Sequence, residues 1–294
     1  MPAFTVLGWF DDFASGTARI IEDLGAEAVC GPWAHMPWGS RIGDVELGPE
    51  AAPSAAFDAL LSFFDRALKG LSEPPLGRVR YFSVGRGWTW APSWPPPHGV
   101  VRLTAVSRGH ANSRHGDGRL VEGPADPSPP DVLVAEPLVP YPGGPLPLSN
   151  EAAAEDRRDV LCFTSDPLSE SLSIAGSPRV EVTTRCDRDT HDVVATLVAV
   201  GLDGEPRGLA TGIRRARVTP GEPHRHEVEL RPIAWTFERG WRFRLDISAS
   251  RFPAFDRNPQ STGRPVAETP REGHRVATIE VLGATLDLPA ERSD

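Results

Sequence analysis

Two side chains near the start of the chain have the types and the setting for proton-transfer chemistry. Asp11 closes the stretch Gly8-Trp9-Phe10-Asp11, and His35 closes Gly31-Pro32-Trp33-Ala34-His35. A histidine that works as a general base needs one ring nitrogen held by a carboxylate, which fixes its tautomer and stabilises the imidazolium as it forms. Asp11 and His35 are therefore read as the acid and the base of a nucleophilic triad. The nucleophile is missing: no G-x-S-x-G elbow occurs in the 294 residues. Ala105-Val106-Ser107-Arg108-Gly109 fits a relaxed elbow, but it follows His35 and runs on into glycine and charge instead of a helix, so Ser107 is not taken as the nucleophile. Asp12 is the rival acid. Phe13, Trp9 and Trp38 flank the pair in sequence and are read as walls of an apolar substrate pocket, with the core as the competing place for Trp9 and Trp33.

The elements that must position these groups alternate. Ala3-Phe4-Thr5-Val6-Leu7 is an apolar run of the kind found in buried parallel strands, and Asp11 follows its end. Residues 15–24 read as a helix stopped by Gly25. Ala28-Val29-Cys30 is a second buried strand, broken by Gly31-Pro32 just before His35. Both groups then leave the same edge of a sheet, where open α/β sheets place their ligands. Ser54 starts a further helix in which Phe57, Leu60, Leu61, Phe64 and Leu68 recur at helical spacing, with Gly70 as its stop. Two short strands are too little for that surface to cover.

From about residue 76 the texture becomes all-β. Short stretches rich in valine, leucine, threonine and aromatics, at 78–84, 100–106, 160–164, 179–186, 192–200, 208–217, 225–231, 241–248 and 275–281 among others, are separated by turn residues. Val180, Val182 and Thr184 alternate with Arg179, Glu181 and Arg185, as in an antiparallel strand with one wet face. Residues 122–130 and 140–158 read as surface loops, and the last residues from about 290 as fraying. The expected fold is an α/β unit over 1–75 followed by an all-β jelly roll or β-sandwich over 76–294.

The two opening words, Gly-Trp-Phe-Asp and Gly-Pro-Trp-Ala-His, resemble those of the CocE/NonD hydrolases. So do Val79-Arg80-Tyr81-Phe82 followed by Trp88, Trp90 and Trp94, Leu161-Cys162-Phe163-Thr164-Ser165-Asp166-Pro167-Leu168, and Phe252-Pro253-Ala254-Phe255-Asp256-Arg257-Asn258-Pro259. The resemblance runs in order along nearly the whole chain. It implies that residues 1–75 are the end of an α/β-hydrolase domain and that 76–294 are the β-domain found after it. It also implies a serine hydrolase of small esters, amides or peptides, of the X-Pro dipeptidyl-peptidase type among others, in which Asp11 orients His35. In that fold the chain order is Ser, then acid, then His, so the serine is expected upstream of Met1, on a longer chain or on a separate Ser-bearing fragment. The chain alone is then expected to be inactive. The alternative from another class is a non-catalytic β-sandwich module that binds carbohydrate or protein through Trp88, Trp90 and Trp94.

Composition removes other classes. With 39% apolar and 24% charged residues the chain is an ordinary globular one, and a net charge of −9 argues against a nucleic-acid partner. No apolar run reaches the ~18 residues of a membrane span. The acidic start, with Asp11, Asp12, Glu22 and Asp23, is unlike a signal peptide, and a cytoplasmic location is expected. Cys30, Cys162 and Cys186 show no pairing or C-x-x-C spacing and read as buried thiols. His224, His226, Asp189 and His191 have too few partners for a metal site, so they are read as solvated, and Arg214, Arg215 and Arg217 as a solvated strand face. No cofactor or metal is expected.

Overall fold

The computed structural model describes residues 2–35, 38–43, 45–70, 78–143, 148–261 and 268–291. The chain opens with β1 (Phe4–Phe10), α1 (Ala14–Leu24) and β2 (Glu27–Ala34), then a short antiparallel hairpin, β3 (Arg41–Ile42) and β4 (Val45–Glu46). α2 (Ser54–Lys69), β5 (Val79–Ser83) and β6 (Gly87–Ala91) follow. β1, β2 and β5 are parallel neighbours, and β6 pairs antiparallel with β5. The strand expected at 78–84 therefore extends the first sheet, although its alternation matched the β-rich texture beyond it. Alternation marks a strand; the partner is a matter of distant residues.

α1 and α2 end at Gly25 and Gly70, whose φ of 58° and 67° lie in the left-handed region where glycine carries no Cβ penalty. α2 turns Ala55, Ala56, Ala59 and Phe63 towards the sheet. Its larger side chains point outward, and Phe57, Leu61, Phe64 and Leu68 are exposed. Small residues let the helix lie close on the strands.

The remaining strands are β7 (His98–Val106), β8 (Arg119–Glu122) and β9 (Asp131–Ala135), then, after the short α3 (Ala152–Glu155), β10 (Val160–Ser165), β11 (Leu172–Gly176) and β12 (Arg179–Cys186). β13 (Thr190–Val200), β14 (Pro206–Arg217), β15 (Pro223–Glu229), β16 (Ile233–Phe237), β17 (Arg242–Ser248) and β18 (Ala277–Glu291) complete the chain. All twelve join one hydrogen-bonded sheet, in the order β14-β13-β17-β10-β8-β7-β18-β11-β16, with β9 and β12 also on β18 and β15 on β12. Two separate layers were expected; β18, at 15 residues, is long enough to pair with β7, β9, β11 and β12 and so ties the layers together. The sheet nearly closes, since a Cβ on Gly212 of β14 would lie 2.2 Å from the Glu229 carbonyl oxygen of β15. The protein is thus mostly β.

The two sheets share a core that runs from Leu7 and Trp9 through Tyr81, Trp94 and Ile174 to Leu286. They are stitched where the Val84 N–H donates to the Ala234 carbonyl at 3.1 Å and the Thr236 N–H to the Val84 carbonyl at 2.8 Å. Among the described residues no helix is long and apolar enough to cross a membrane.

Candidate active site

Parallel pairing of β1 with β2 puts the C-terminal ends of both strands at one edge, Gly8 opposite Gly31 and Phe10 opposite Ala34. Asp11 and His35 each follow directly. His35 Nδ1 lies 3.2 Å from Asp11 Oδ2, and the other carboxylate oxygen accepts the Phe13 N–H at 2.9 Å. Asp11 is further fixed by its own N–H to the Gly8 carbonyl at 3.2 Å and by the Ala14 N–H on its carbonyl at 3.1 Å. One carboxylate oxygen is thus used for local geometry and one faces the imidazole. His35 is mostly exposed and the Asp11 carboxylate mostly buried, an arrangement that leaves Nε2 as the ring nitrogen for a nucleophile.

Trp33 explains the glycines of both words. A Cβ on Gly8 would sit 2.3 Å from the Trp33 carbonyl oxygen, and one on Gly31 would sit 2.6 Å from the Trp33 indole. The Trp33 ring is fully buried and its Nε1–H donates to the Ala51 carbonyl at 2.7 Å. Trp38 stacks on it at 5.5 Å between centroids and donates its own Nε1–H to the His35 carbonyl at 3.0 Å. The His35 backbone is therefore held by an aromatic stack anchored in the core.

The candidate pocket residues separate. Phe13 is 64% exposed, with its ring edge-on to His35 at 5.3 Å, and Trp38 lies between Trp33 and Phe57, touching His35 at its backbone carbonyl. Trp9 does not join them. It is 1% exposed, donates its indole N–H to the Phe82 carbonyl at 2.8 Å and stacks on Trp94 at 4.9 Å. Its place is the core, because strand alternation turns it towards β5 while Phe13 lies in the turn beyond the strand. Asp12, next to Asp11, points elsewhere: its Oδ1 accepts from Arg231 Nη2 at 2.9 Å, 219 positions along the chain. No local pattern could have announced that contact.

The other candidates find structural roles. The Ser107 hydroxyl donates to Asp131 Oδ2 at 2.6 Å, and Asp131 also accepts the Ala111 N–H, which makes Ser107 part of a loop anchor. Of the three tryptophans proposed as a binding surface, Trp94 is buried, Trp88 is half-buried with its indole donating to the Glu50 carbonyl, and Trp90 is half exposed. Arg80 lies over the Trp88 and Trp90 rings, at 4.7 and 5.3 Å. The expectation of solvated histidines is overturned for His191 and His226, which are buried on either side of the Thr184 hydroxyl, 2.9 and 2.8 Å from it. Burial, followed by the neighbouring His226, pushes the His191 pKa down to about 4. Among the described residues no group of three or more His, Cys, Asp or Glu is placed to hold a metal ion. Arg215 forms a two-bond pair with the buried Asp192, which Asn258 also contacts at 2.8 Å, so the Phe-Asp-Arg-Asn-Pro word serves to tie its loop to β13. The three cysteines are buried free thiols.

Residues 74–282 match the family model of the X-Pro dipeptidyl-peptidase C-terminal non-catalytic domain. A cocaine esterase from Rhodococcus sp. (strain MB1 Bresler) is 28% identical over 291 residues, which cover 89% of this chain and 51% of that protein. The fold is shared with the crystal structure of an aminopeptidase from a marine sediment Thaumarchaeota archaeon, at 22% identity and a TM-score of 0.85, over 99% of this chain and 55% of that one. An α-amino acid ester hydrolase gives 21% identity and a TM-score of 0.84, over 99% and 56%. The chain spans about half the length of these relatives. The sequence words, the family match over most of the chain and the shared fold together place it: the chain belongs to the CocE/NonD hydrolase family and carries that family's X-Pro dipeptidyl-peptidase C-terminal non-catalytic domain.

Proposed function

We propose that Asp11 and His35 are the acid and the base of a Ser-His-Asp triad whose serine is carried by polypeptide outside these 294 residues, in an acyl hydrolase of small esters, amides or peptides. The observation that carries this reading is the 3.2 Å contact between His35 Nδ1 and Asp11 Oδ2 at the ends of neighbouring parallel strands. Such a contact fixes the neutral imidazole with its proton on Nδ1, so that Nε2 can take a proton from a serine hydroxyl, and it stabilises the imidazolium through acyl transfer. Phe13, edge-on to the ring, and Trp38, bonded to the His35 carbonyl, are the side chains that would meet an acyl group. Trp9 is left out of that pocket.

On the same reading β1, β2, α1 and α2 form the end of an α/β-hydrolase domain, assigned to residues 1–75, and residues 76–294 are its β-sandwich domain. That boundary falls inside the first sheet, since β5 pairs with β2 and β6 with β5, which carries the sheet on to Ala91. The chain alone is proposed to be inactive, because a triad without its serine, and without the oxyanion donors that accompany the elbow, keeps little rate enhancement.

The test is complementation. Co-expression with a family segment that carries a G-x-S-x-G elbow should give esterase activity that His35→Gln and Asp11→Asn remove by a factor of ~10³ or more. A fluorophosphonate probe should label the supplied serine and nothing in the 294-residue chain. Labelling of the isolated chain at Ser107 or Ser15, or full activity of the complemented His35→Gln variant, would refute the assignment.

A further inference from the structure

We propose that Arg231, from the part of the chain matched by the non-catalytic domain family, is a positioning residue for the Asp11–His35 pair; the proposal rests on the reading of that pair as acid and base. The turn Asp11-Asp12-Phe13 is short, and the Asp11 carboxylate is tied to its path because Oδ1 accepts the Phe13 N–H. A change in the path through residue 12 must move that N–H and rotate the carboxylate away from His35. Inside the turn nothing holds Asp12, whose side chain is 82% exposed. It is held from outside, by the Arg231 guanidinium at 2.9 Å.

Arg231 is presented from a rigid corner after β15. Leu230 is fully buried and donates its N–H to the Pro178 carbonyl at 2.9 Å, and the Arg231 N–H donates to the Thr211 carbonyl on β14 at 3.2 Å. The Arg231 side chain is mostly covered, 26% exposed, so the cation is anchored even though its partner is wet. A weaker tie lies on the same corner, from Arg19 of α1 to Glu229 at 3.9 Å. The β-rich part therefore grips the acid turn and the helix after it. Arg231 touches no reacting atom and acts through Asp12.

Histidine-labelled ¹⁵N NMR of the 294-residue chain tests this, with the His35 signals assigned from a His35→Gln sample. The readout is the ratio of Nδ1–H to Nε2–H tautomer in neutral His35, which Asp11 biases towards Nδ1–H. Asp11→Asn should abolish the bias. Arg231→Gln and Asp12→Asn should each lower the ratio about threefold, the scale of an ion pair with one wet partner, with the thermal midpoint unchanged, and Arg231→Lys should restore most of it. If Asp11→Asn removes the bias and Arg231→Gln leaves it intact, the proposal is overturned while the acid–base reading stands. If Asp11→Asn itself changes nothing, the pair does not form in solution and both are overturned. Should Arg231→Gln fail to fold, Asp12→Asn, a change at an exposed side chain, decides alone: an unchanged ratio overturns the proposal, a threefold loss supports it.

Discussion

Replacing Asp246 by asparagine should stabilise the protein increasingly as pH rises. Asp246, on β17, is buried beside Glu155 of α3 and the Cys162 thiol of β10. Glu155 is itself fully buried and accepts from Arg244, while Glu151 accepts from Arg251 at 2.6 Å. The pocket thus contains the carboxylates of Glu151, Glu155 and Asp246 against the guanidiniums of Arg244 and Arg251. Both Asp246 oxygens and Glu155 Oε1 are buried without a donor; one proton held between these two carboxyls would pair one oxygen of each and bring the cluster to neutrality. Desolvation, then the Glu155 charge, raises the Asp246 pKa well above its ordinary value, and desolvation raises that of Glu155.

The folded state then binds one proton more than the unfolded state from about pH 4 upwards, so this group's stability contribution is full below the unfolded pKa and is lost as pH rises towards the folded one. The slope is about 1.4 kcal/mol per pH unit. Asparagine is neutral at every pH and can donate to Glu155, so the difference between Asp246→Asn and the parent should grow as pH rises above about 4, at no more than that slope. Urea unfolding followed by circular dichroism across that range measures it, and the subtraction cancels every other titrating group. A difference that stays constant with pH would refute the shared proton. Arg244→Met should instead cost about 3–5 kcal/mol at neutral pH, because it leaves Glu155 buried without its partner.

Three further outcomes are expected. Gly8→Ala should lower the thermal midpoint by an amount equivalent to about 1–3 kcal/mol or more, since its Cβ would lie 2.3 Å from the Trp33 carbonyl oxygen, and an unchanged melt would show that β1 and β2 can part cheaply. Because burial holds His191 neutral, with a pKa of about 4, the unfolded chain binds the extra proton between that value and ~6.5; stability should fall by up to about 3 kcal/mol as pH drops through this window, and His191→Gln should flatten that limb in urea titrations. The outward face of α2, with Leu61 at 63% and Phe64 at 46% exposure, should drive self-association that Leu61→Glu with Phe64→Lys relieves in light scattering without lowering the thermal midpoint. A monodisperse monomer of the parent chain would count against it.

What the sequence alone determined about this protein is what lies within a few residues of each group. An apolar run followed by an aspartate suffices to place the acid just past β1, and a helix between two such strands returns the chain to the same sheet edge. Short-range sterics and strand direction decide these things, and both are written locally. The strand ends expected at Gly8 and at Gly31-Pro32 do not occur, since β1 runs on to Phe10 and β2 on to Ala34, with His35 directly after it. The tertiary structure decided the rest. Trp9 and Trp33 occupy equivalent words, yet one packs on Trp94 across the core and the other under Trp38, because a strand's two faces are equal until something covers one of them. Helical spacing in α2 picks out one apolar face, Phe57, Leu60, Leu61, Phe64 and Leu68, but contact with the sheet takes Ala56, Ala59 and Phe63 inside and leaves Leu61 and Leu68 exposed. Residues 78–84 read as the first strand of the β-rich part, and only the tertiary structure pairs that strand with β2. The burial of His191 and Asp246 and the reach of Arg231 to Asp12 are set by groups tens to hundreds of positions away, and no period in the sequence records which distant side chains a fold brings within 3 Å.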